Sequence, residues 1–355
     1  MLVGDGKVHS KFTLNGTSYS ANELRQLAYS LIKEGARHEV EIGEFLLRWL
    51  DSEPIIQVRT SGSTGTPKII ELQKQHMVNS ALATADFFGL SNSTNTLLCL
   101  PASYIAGKMM LLRAMVLGWE LDYVAPSSCP LEHISKNYDF CAMVPLQLEN
   151  SLDHIEQIKT LIVGGANVSK TLKTKVQSKS TAIYETYGMT ETCTHVAIKS
   201  IKSDSTSGTY KQHHFQAMPN VTFSTDQRDC LVISAPKVSE TKVITNDLIK
   251  LISATEFEWL GRYDNVINSG GVKLFPEQIE AKLEAHINSR FFVSGVPDEK
   301  LGEKLVLIIE GHVDVKGLMQ ELSASTDLKK FEIPKQIFTL PQFTETKTGK
   351  IRRKE

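Results

Sequence analysis

The stretch Thr60-Ser61-Gly62-Ser63-Thr64-Gly65-Thr66-Pro67-Lys68 sets five hydroxyls, two glycines and one lysine within nine residues. Such groups suit a polyphosphate. Glycines let backbone N–H groups approach closely, hydroxyls donate hydrogen bonds, and a fixed cation offsets negative charge. The spacing is not that of the Walker loop, Gly-x4-Gly-Lys-Ser/Thr. By composition alone the residues also suit a flexible Ser/Gly/Thr linker. Ile55-Ile56 leads in and Ile69-Ile70 leads out, which predicts a strand, a tight polar loop and a second strand.

Four further segments carry groups of the same kind. They are Tyr187-Gly188-Met189-Thr190-Glu191; Thr245-Asn246-Asp247; Gly261-Arg262-Tyr263-Asp264 with Ser269-Gly270-Gly271-Val272-Lys273 and Pro276 to Glu280; and Pro334-Lys335 with Thr348-Gly349-Lys350-Ile351-Arg352-Arg353. With the loop, and in this order, they resemble the adenylate-forming superfamily of acyl- and aryl-CoA ligases, adenylation domains and luciferases. The resemblance covers residues 55 to 355. One departure is Asn246, where the family has glycine. Another is that the phosphate loop lies closer to the N-terminus than is usual, so part of the family's first β/α layer is expected to be missing.

The resemblance implies a reaction in two halves. A carboxylate attacks the α-phosphate of ATP to give an acyl-adenylate and pyrophosphate, and a thiol, usually that of CoA, then displaces AMP. ATP, Mg2+ and CoA are the implied cofactors. Lys350 is the implied catalytic lysine, bridging carboxylate and α-phosphate. Thr60, Ser61, Gly62, Ser63, Thr64, Gly65, Thr66 and Lys68 would hold the β,γ-phosphates, and Thr190 the α-phosphate. Glu191 is the implied magnesium ligand, since magnesium often takes one carboxylate plus phosphates and waters. Tyr187 would stack on adenine beside Gly164, Gly165 and Ala166. Asp247 and Arg262 would serve the ribose. Asp264 is the implied hinge, and Ser269, Gly270, Gly271 and Lys273 would reach the CoA channel.

The acid is read from weaker signals. Pro101 to Gly107 resembles the family stretch Pro-x-x-His-x-x-Gly, with Tyr104 in place of histidine. Met143 to Leu148 and Leu161 to Ala166 resemble the o-succinylbenzoate–CoA ligase branch of menaquinone biosynthesis. Its acid carries two carboxylates, one of which reacts, so a cation should hold the other. Arg113 and Lys108 are the two candidates, in an acid pocket with Tyr104, Gly107, Val144 and Gly188. Another aryl- or fatty acyl-CoA ligase, or an adenylation protein that loads a carrier protein, would share the ATP residues. A degenerate nucleotide-binding module would be expected to lack Lys350 or Glu191.

A net charge of −1 offers no global field for nucleic acid or an anionic membrane. The five scattered cysteines form no CxxC pair, which argues against a disulfide framework or zinc site and fits a reducing cytoplasm. His213-His214 has no carboxylate spaced to complete a metal site. No apolar run reaches membrane-spanning length, and no signal peptide is legible. A homo-oligomer is left open.

The elements that must position these groups alternate between strands and helices up to about residue 190, which predicts an α/β layer with a mainly parallel sheet. Residues 1–50 read as peripheral, with helices over Ala21–Leu31, capped by Asn22, and Val40–Leu50. Further helices are expected over Lys74–Phe88, Lys108–Leu117 and Val168–Gln177. Short strand-like runs from about Ser200 predict a small antiparallel β subdomain, with Ser203 to His214 a surface excursion. A compact α+β unit follows, its helix over Glu277–His286. The expected division is a large ATP- and acid-binding N-terminal domain over 1–262 and a small mobile C-terminal domain over 263–355.

Overall fold

The computed structural model describes residues 2–3, 8–59, 68–202, 214–344 and 351–353. Loop residues 60–67, most of the 203–214 excursion and Lys350 lie outside the described residues.

The centre is a parallel sheet of β1 (Asn95–Leu98), β2 (Glu120–Tyr123), β3 (Tyr138–Met143), β4 (Ile158–Val163) and β5 (Ala182–Gly188), in spatial order β2-β1-β3-β4-β5. Alternate residues face opposite sides of a strand. Accordingly Phe140, Ala142 and Ile162 join one core, whereas Cys141, Met143, Leu161 and Val163 join the core on the other face. Apolar residues on both faces are what a sheet covered by helices requires.

The sheet does not stop at β5. An antiparallel β6 (His195–Ser200) continues it through Phe215–Ala217 to β8 (Glu256–Arg262), β7 (Val243–Ser253) and two outer strands. The expected β subdomain is thus an extension of the same sheet, and its long strand runs well past Thr245.

Helices α1 (Ala21–Glu34) and α2 (Arg37–Leu50) are not peripheral, contrary to the sequence reading. Leu24, Ala28, Phe45, Leu46 and Trp49 are fully buried in the main core, and Thr13–Leu14 adds a strand beside β2. Their apolar stripes need a partner, and α2 meets it near Lys108 and Tyr123. Ser20, not Asn22, caps α1: its hydroxyl accepts from the Glu23 N–H while the Glu23 carboxylate accepts from the Ser20 N–H. The 168–177 helix is shorter than expected, Lys170–Lys175 behind its cap Ser169.

Helix α3 (Lys74–Phe88) packs on α4 (Ile105–Leu117), which is apolar on nearly all sides and ends at Gly118 with φ 75°. Beyond β8, a five-stranded sheet, a helix over Pro276–Leu283 and another over Val315–Ala324 enclose a separate core that includes Ile279, Leu283, Leu305 and Leu307. Among the described residues, no helix is long and apolar enough to cross a membrane.

Candidate functional site

Three segments singled out from the sequence end at one edge of the parallel sheet. Val144 follows β3, Gly164-Gly165 follows β4, and Gly188 closes β5. Ligands of open α/β sheets bind beyond the carboxyl ends of the strands. Gly165 has φ 83°, and a side chain there would face Val144. At Gly164 a side chain would meet the Thr186 hydroxyl, which donates to the Val163 carbonyl at 3.1 Å. Gly188 sits at a register shift between β5 and β6, against the backbone of Thr194 and His195. The chain then makes a short 3-10 turn, Thr190–Thr192, which leaves Glu191 exposed.

Tyr187 and Asp247 come together across the sheet. The Tyr187 hydroxyl donates to Asp247 Oδ2 at 2.6 Å, and the ring packs on Phe215 and Phe257. Burial and the neighbouring carboxylate both raise the phenol pKa, so it stays a donor. Arg262 Nη1 lies 3.6 Å from Asp247 Oδ1, and its Nη2 lies 3.3 Å from Asp264. Asn246 also has work to do: its amide donates to Asp264 at 3.3 Å and accepts from Arg228 at 2.9 Å. The departure from glycine therefore links the expected ribose carboxylate's strand to the expected hinge. Arg228 was not found from the sequence.

A second buried carboxylate was also missed. Glu185, two residues before Tyr187, is 4 % exposed and meets Lys173 at 3.0 Å and Lys199 at 2.9 Å. Burial raises its pKa, but the two lysines outweigh it and hold the carboxyl below its ordinary value. The strand alternation, which points residue 185 inward with Ile183, was the available signal.

The strands on either side of the polar stretch pair antiparallel, Ile55–Arg59 with Ile69–Gln73, Arg59 opposite Ile69. Ser269-Gly270-Gly271-Val272 forms a tight turn between two short strands, with φ 58° and 81° at the glycines and Lys273 exposed just after it. Lys350 is outside the described residues. Three positions on, Arg353 makes a two-pronged ion pair with Glu280, both distances 2.7 Å.

The two acid-pocket cations part company. Tyr104 precedes α4 and is 38 % exposed, while Gly107 packs on the Pro101 carbonyl. Lys108 turns back to the Ala102 and Ser103 carbonyls and lies over the Phe45 ring of α2. Its donors are thereby engaged in bracing the 101–104 loop, and burial pushes its pKa down to about 8. Arg113 is 1 % exposed. Its Nε donates to Thr84 Oγ1 at 3.2 Å and its Nη1 to the Met110 sulfur at 3.7 Å, while Nη2 has no hydrogen-bond partner among the described residues. No described carboxylate pairs with it. Burial lowers its pKa to about 9, so it remains charged at neutral pH.

Among the described residues, no three His, Cys, Asp or Glu side chains cluster as a ready metal cage. A lone exposed Glu191 fits magnesium held mostly by phosphates and waters, and fits no dedicated protein cage.

Residues 48–222 match the model of the AMP-binding enzyme family. A solved acyl-CoA synthetase (AMP-forming)/AMP-acid ligase II-like protein from Dyadobacter fermentans is 34% identical, covering 93% of this chain and 96% of its own, with a TM-score of 0.61. The 2-succinylbenzoate–CoA ligase of Bacillus subtilis is 23% identical over 98% of this chain and 77% of its own length. The o-succinylbenzoate CoA synthetase of Bacillus subtilis, solved with its acyl-adenylate intermediate, superposes with a TM-score of 0.73 at 20% identity over 94% of this chain and 80% of its own.

Proposed function

We propose, from the premise that the chain belongs to the AMP-binding enzyme family, that it is an ATP-dependent acid–CoA ligase whose acid is o-succinylbenzoate. One carboxylate oxygen of the acid attacks the α-phosphorus, and the bond to pyrophosphate breaks. The CoA sulfur then attacks the acyl carbon of the adenylate, AMP leaves, and the thiol proton passes to solvent. The product is o-succinylbenzoyl-CoA, an intermediate of menaquinone biosynthesis. The free cysteines fit a cytoplasmic enzyme.

The first half brings two anions together, so its barrier is electrostatic and falls with preset cations and donors. In this reading Lys350 bridges the acid and the α-phosphate, and Lys68 with the 60–66 loop holds the outer phosphates. Thr190 contacts the α-phosphate. Tyr187 presents its ring to adenine beside Gly164, Gly165 and Ala166, while Asp247, held by Tyr187 and Arg262, accepts from the ribose hydroxyls. Magnesium at Glu191 would neutralise charge on the phosphates. The C-terminal unit then turns about Asp264, and the Ser269 to Lys273 loop meets CoA.

The observation that carries the choice of acid is Arg113, a buried cation that has, among the described residues, no carboxylate and one unspent donor. A second carboxylate on the substrate would satisfy it, since charged groups are costly to bury unpaired. The curated Bacillus subtilis relative, named for the same acid, supports this.

The test is pyrophosphate release from ATP with o-succinylbenzoate, benzoate and octanoate side by side, with and without CoA. Selective turnover of o-succinylbenzoate with CoA is expected, and Arg113→Ala should raise its KM at least tenfold, about the worth of a charged hydrogen bond. Turnover only with octanoate or another acid would move the enzyme to a different ligase branch. AMP release with a carrier-protein thiol but not CoA would make it a carrier-loading protein.

A further inference from the structure

Thr84 on α3 occupies the middle of a buried polar cluster. Its hydroxyl oxygen lies 3.0 Å from the Ser80 carbonyl, 3.2 Å from Arg113 Nε and 3.4 Å from His195 Nε2. Thr84 is fully buried, His195 is 7 % exposed and Arg113 is 1 % exposed. A hydroxyl has one proton to give and two lone pairs to accept with. The Ser80 carbonyl is the nearest acceptor and takes that proton. Arg113 Nε can only donate, so it uses one lone pair. The remaining lone pair faces His195 Nε2, which must then carry the hydrogen. The ring is therefore the Nε2–H tautomer, and neutral, because a protonated imidazole would place a second buried cation beside Arg113. Burial and the Arg113 charge both push the His195 pKa well below its ordinary value, in agreement with a neutral ring.

Every hydrogen-bonding capacity of Thr84 is thus used, and the guanidinium is held by its Nε. A guanidinium fixed at Nε is fixed in plane, which aims its Nη2 in one direction. His195 connects this cluster to the adenylation motif, because it pairs with Gly188 across β5 and β6.

We infer that Thr84 and His195 are positioning residues that hold the Arg113 guanidinium with its Nη2 edge free for the acid, and so make the site select acids that carry a second carboxylate. The inference rests on the acid-ligase reading above and adds to it the two residues that make Arg113 selective. Neither touches the acid or the reacting atoms. They act through Arg113 alone.

The experiment measures kcat and KM of the full-length enzyme, with ATP, magnesium and CoA, on three acids of one skeleton. These are o-succinylbenzoate, benzoylpropionate (which lacks the ring carboxylate) and butyrylbenzoate (which lacks the chain carboxylate). The readout is the ratio of kcat/KM for the diacid to that for whichever monoacid reacts. Thr84→Val, close in shape but unable to accept, should lower the ratio about tenfold or more through the KM of the diacid, with Thr84→Ser restoring it. His195→Leu should lower the ratio and His195→Gln, which keeps an N–H near the Nε2 position, should retain most of it. Thermal melts accompany each variant, and the His195 pair carries the test alone if Thr84→Val does not fold.

A purely structural role predicts equal losses on diacid and monoacid. Equal losses, or an unchanged ratio in both Thr84→Val and His195→Leu, would overturn the inference and leave the ligase reading standing. A wild-type enzyme with no preference for the diacid would overturn both.

Discussion

Asp247 and Arg113 are both buried charged side chains of the candidate site, and their surroundings are opposite. Asp247 has a tyrosine hydroxyl at 2.6 Å and an arginine at 3.6 Å, and two residues before Tyr187 the buried Glu185 is held by two lysines. Arg113 has one threonine, one sulfur, and a nitrogen with no partner among the described residues. On the proposed nucleotide side, the described carboxylates are thus held by protein partners before any ligand arrives. On the proposed acid side, Arg113 keeps a donor with no partner among the described residues, which costs stability and leaves a ligand to complete it.

That contrast can be broken in four places, ordered by expected size. Glu185→Gln should cost the most, about 3–5 kcal/mol of unfolding free energy, because two lysines lose their buried counter-charge. The pH course follows from the depressed folded-state pKa. The carboxylate's contribution is full above its unfolded value of 4.5 and fades as pH falls through the lower folded value, so wild-type and variant stabilities should converge in acid. Denaturant curves at neutral and acidic pH that run parallel would contradict this account.

Asp247→Asn should raise the KM for ATP some tenfold to a hundredfold, about 1.5–3 kcal/mol for a charge-assisted bond, without altering selectivity among acids. Initial rates over an ATP series measure this, and an unaltered KM would remove Asp247 from the ribose.

Arg113→Met carries the opposite sign from Glu185→Gln. An apolar chain of similar length should stabilise the apoprotein by about 1–2 kcal/mol, since replacing buried charge by packed apolar groups is often stabilising. Loss of stability would show that Arg113 has a partner after all, and the comparison between the two sides would fall.

Lys108→Met should matter least. Its KM for o-succinylbenzoate should stay within about twofold, since its ammonium is engaged by the Ala102 and Ser103 carbonyls. A KM change as large as that of Arg113→Ala would exchange the two roles.

Much of the proposed nucleotide side could be read from the chain because its parts are short and contiguous. Tyr187 to Glu191 and Thr245 to Asp247 each bring several functional groups in one run, and the glycines at 164, 165 and 188 sit where β4 and β5 end. The acid side was only half legible. Arg113 stands out as a charge in an apolar helix, but Lys108 stands out equally, and only packing against α2 separates them. The N-terminal helices were misplaced for a related reason. Their apolar stripes show that they bury one face, and nothing in 1–50 says that the face enters the main core.

What the sequence alone determined is the family resemblance and the chemistry to be expected from it: a hydroxyl-rich run, an aromatic-Gly-x-Thr-Glu run and the carboxylate of Asp247, each defined by neighbours along the chain. Local spacing suffices there because each run brings its groups together in a few consecutive residues. The tertiary structure decided which charges are answered. Thr84, Arg113 and His195 come from two helices and a strand, and Glu185 finds one lysine on the 170–175 helix and the other on β6. Whether a buried charge is paired depends on what the fold brings within hydrogen-bonding reach, and that distance is set by packing between elements far apart in the chain.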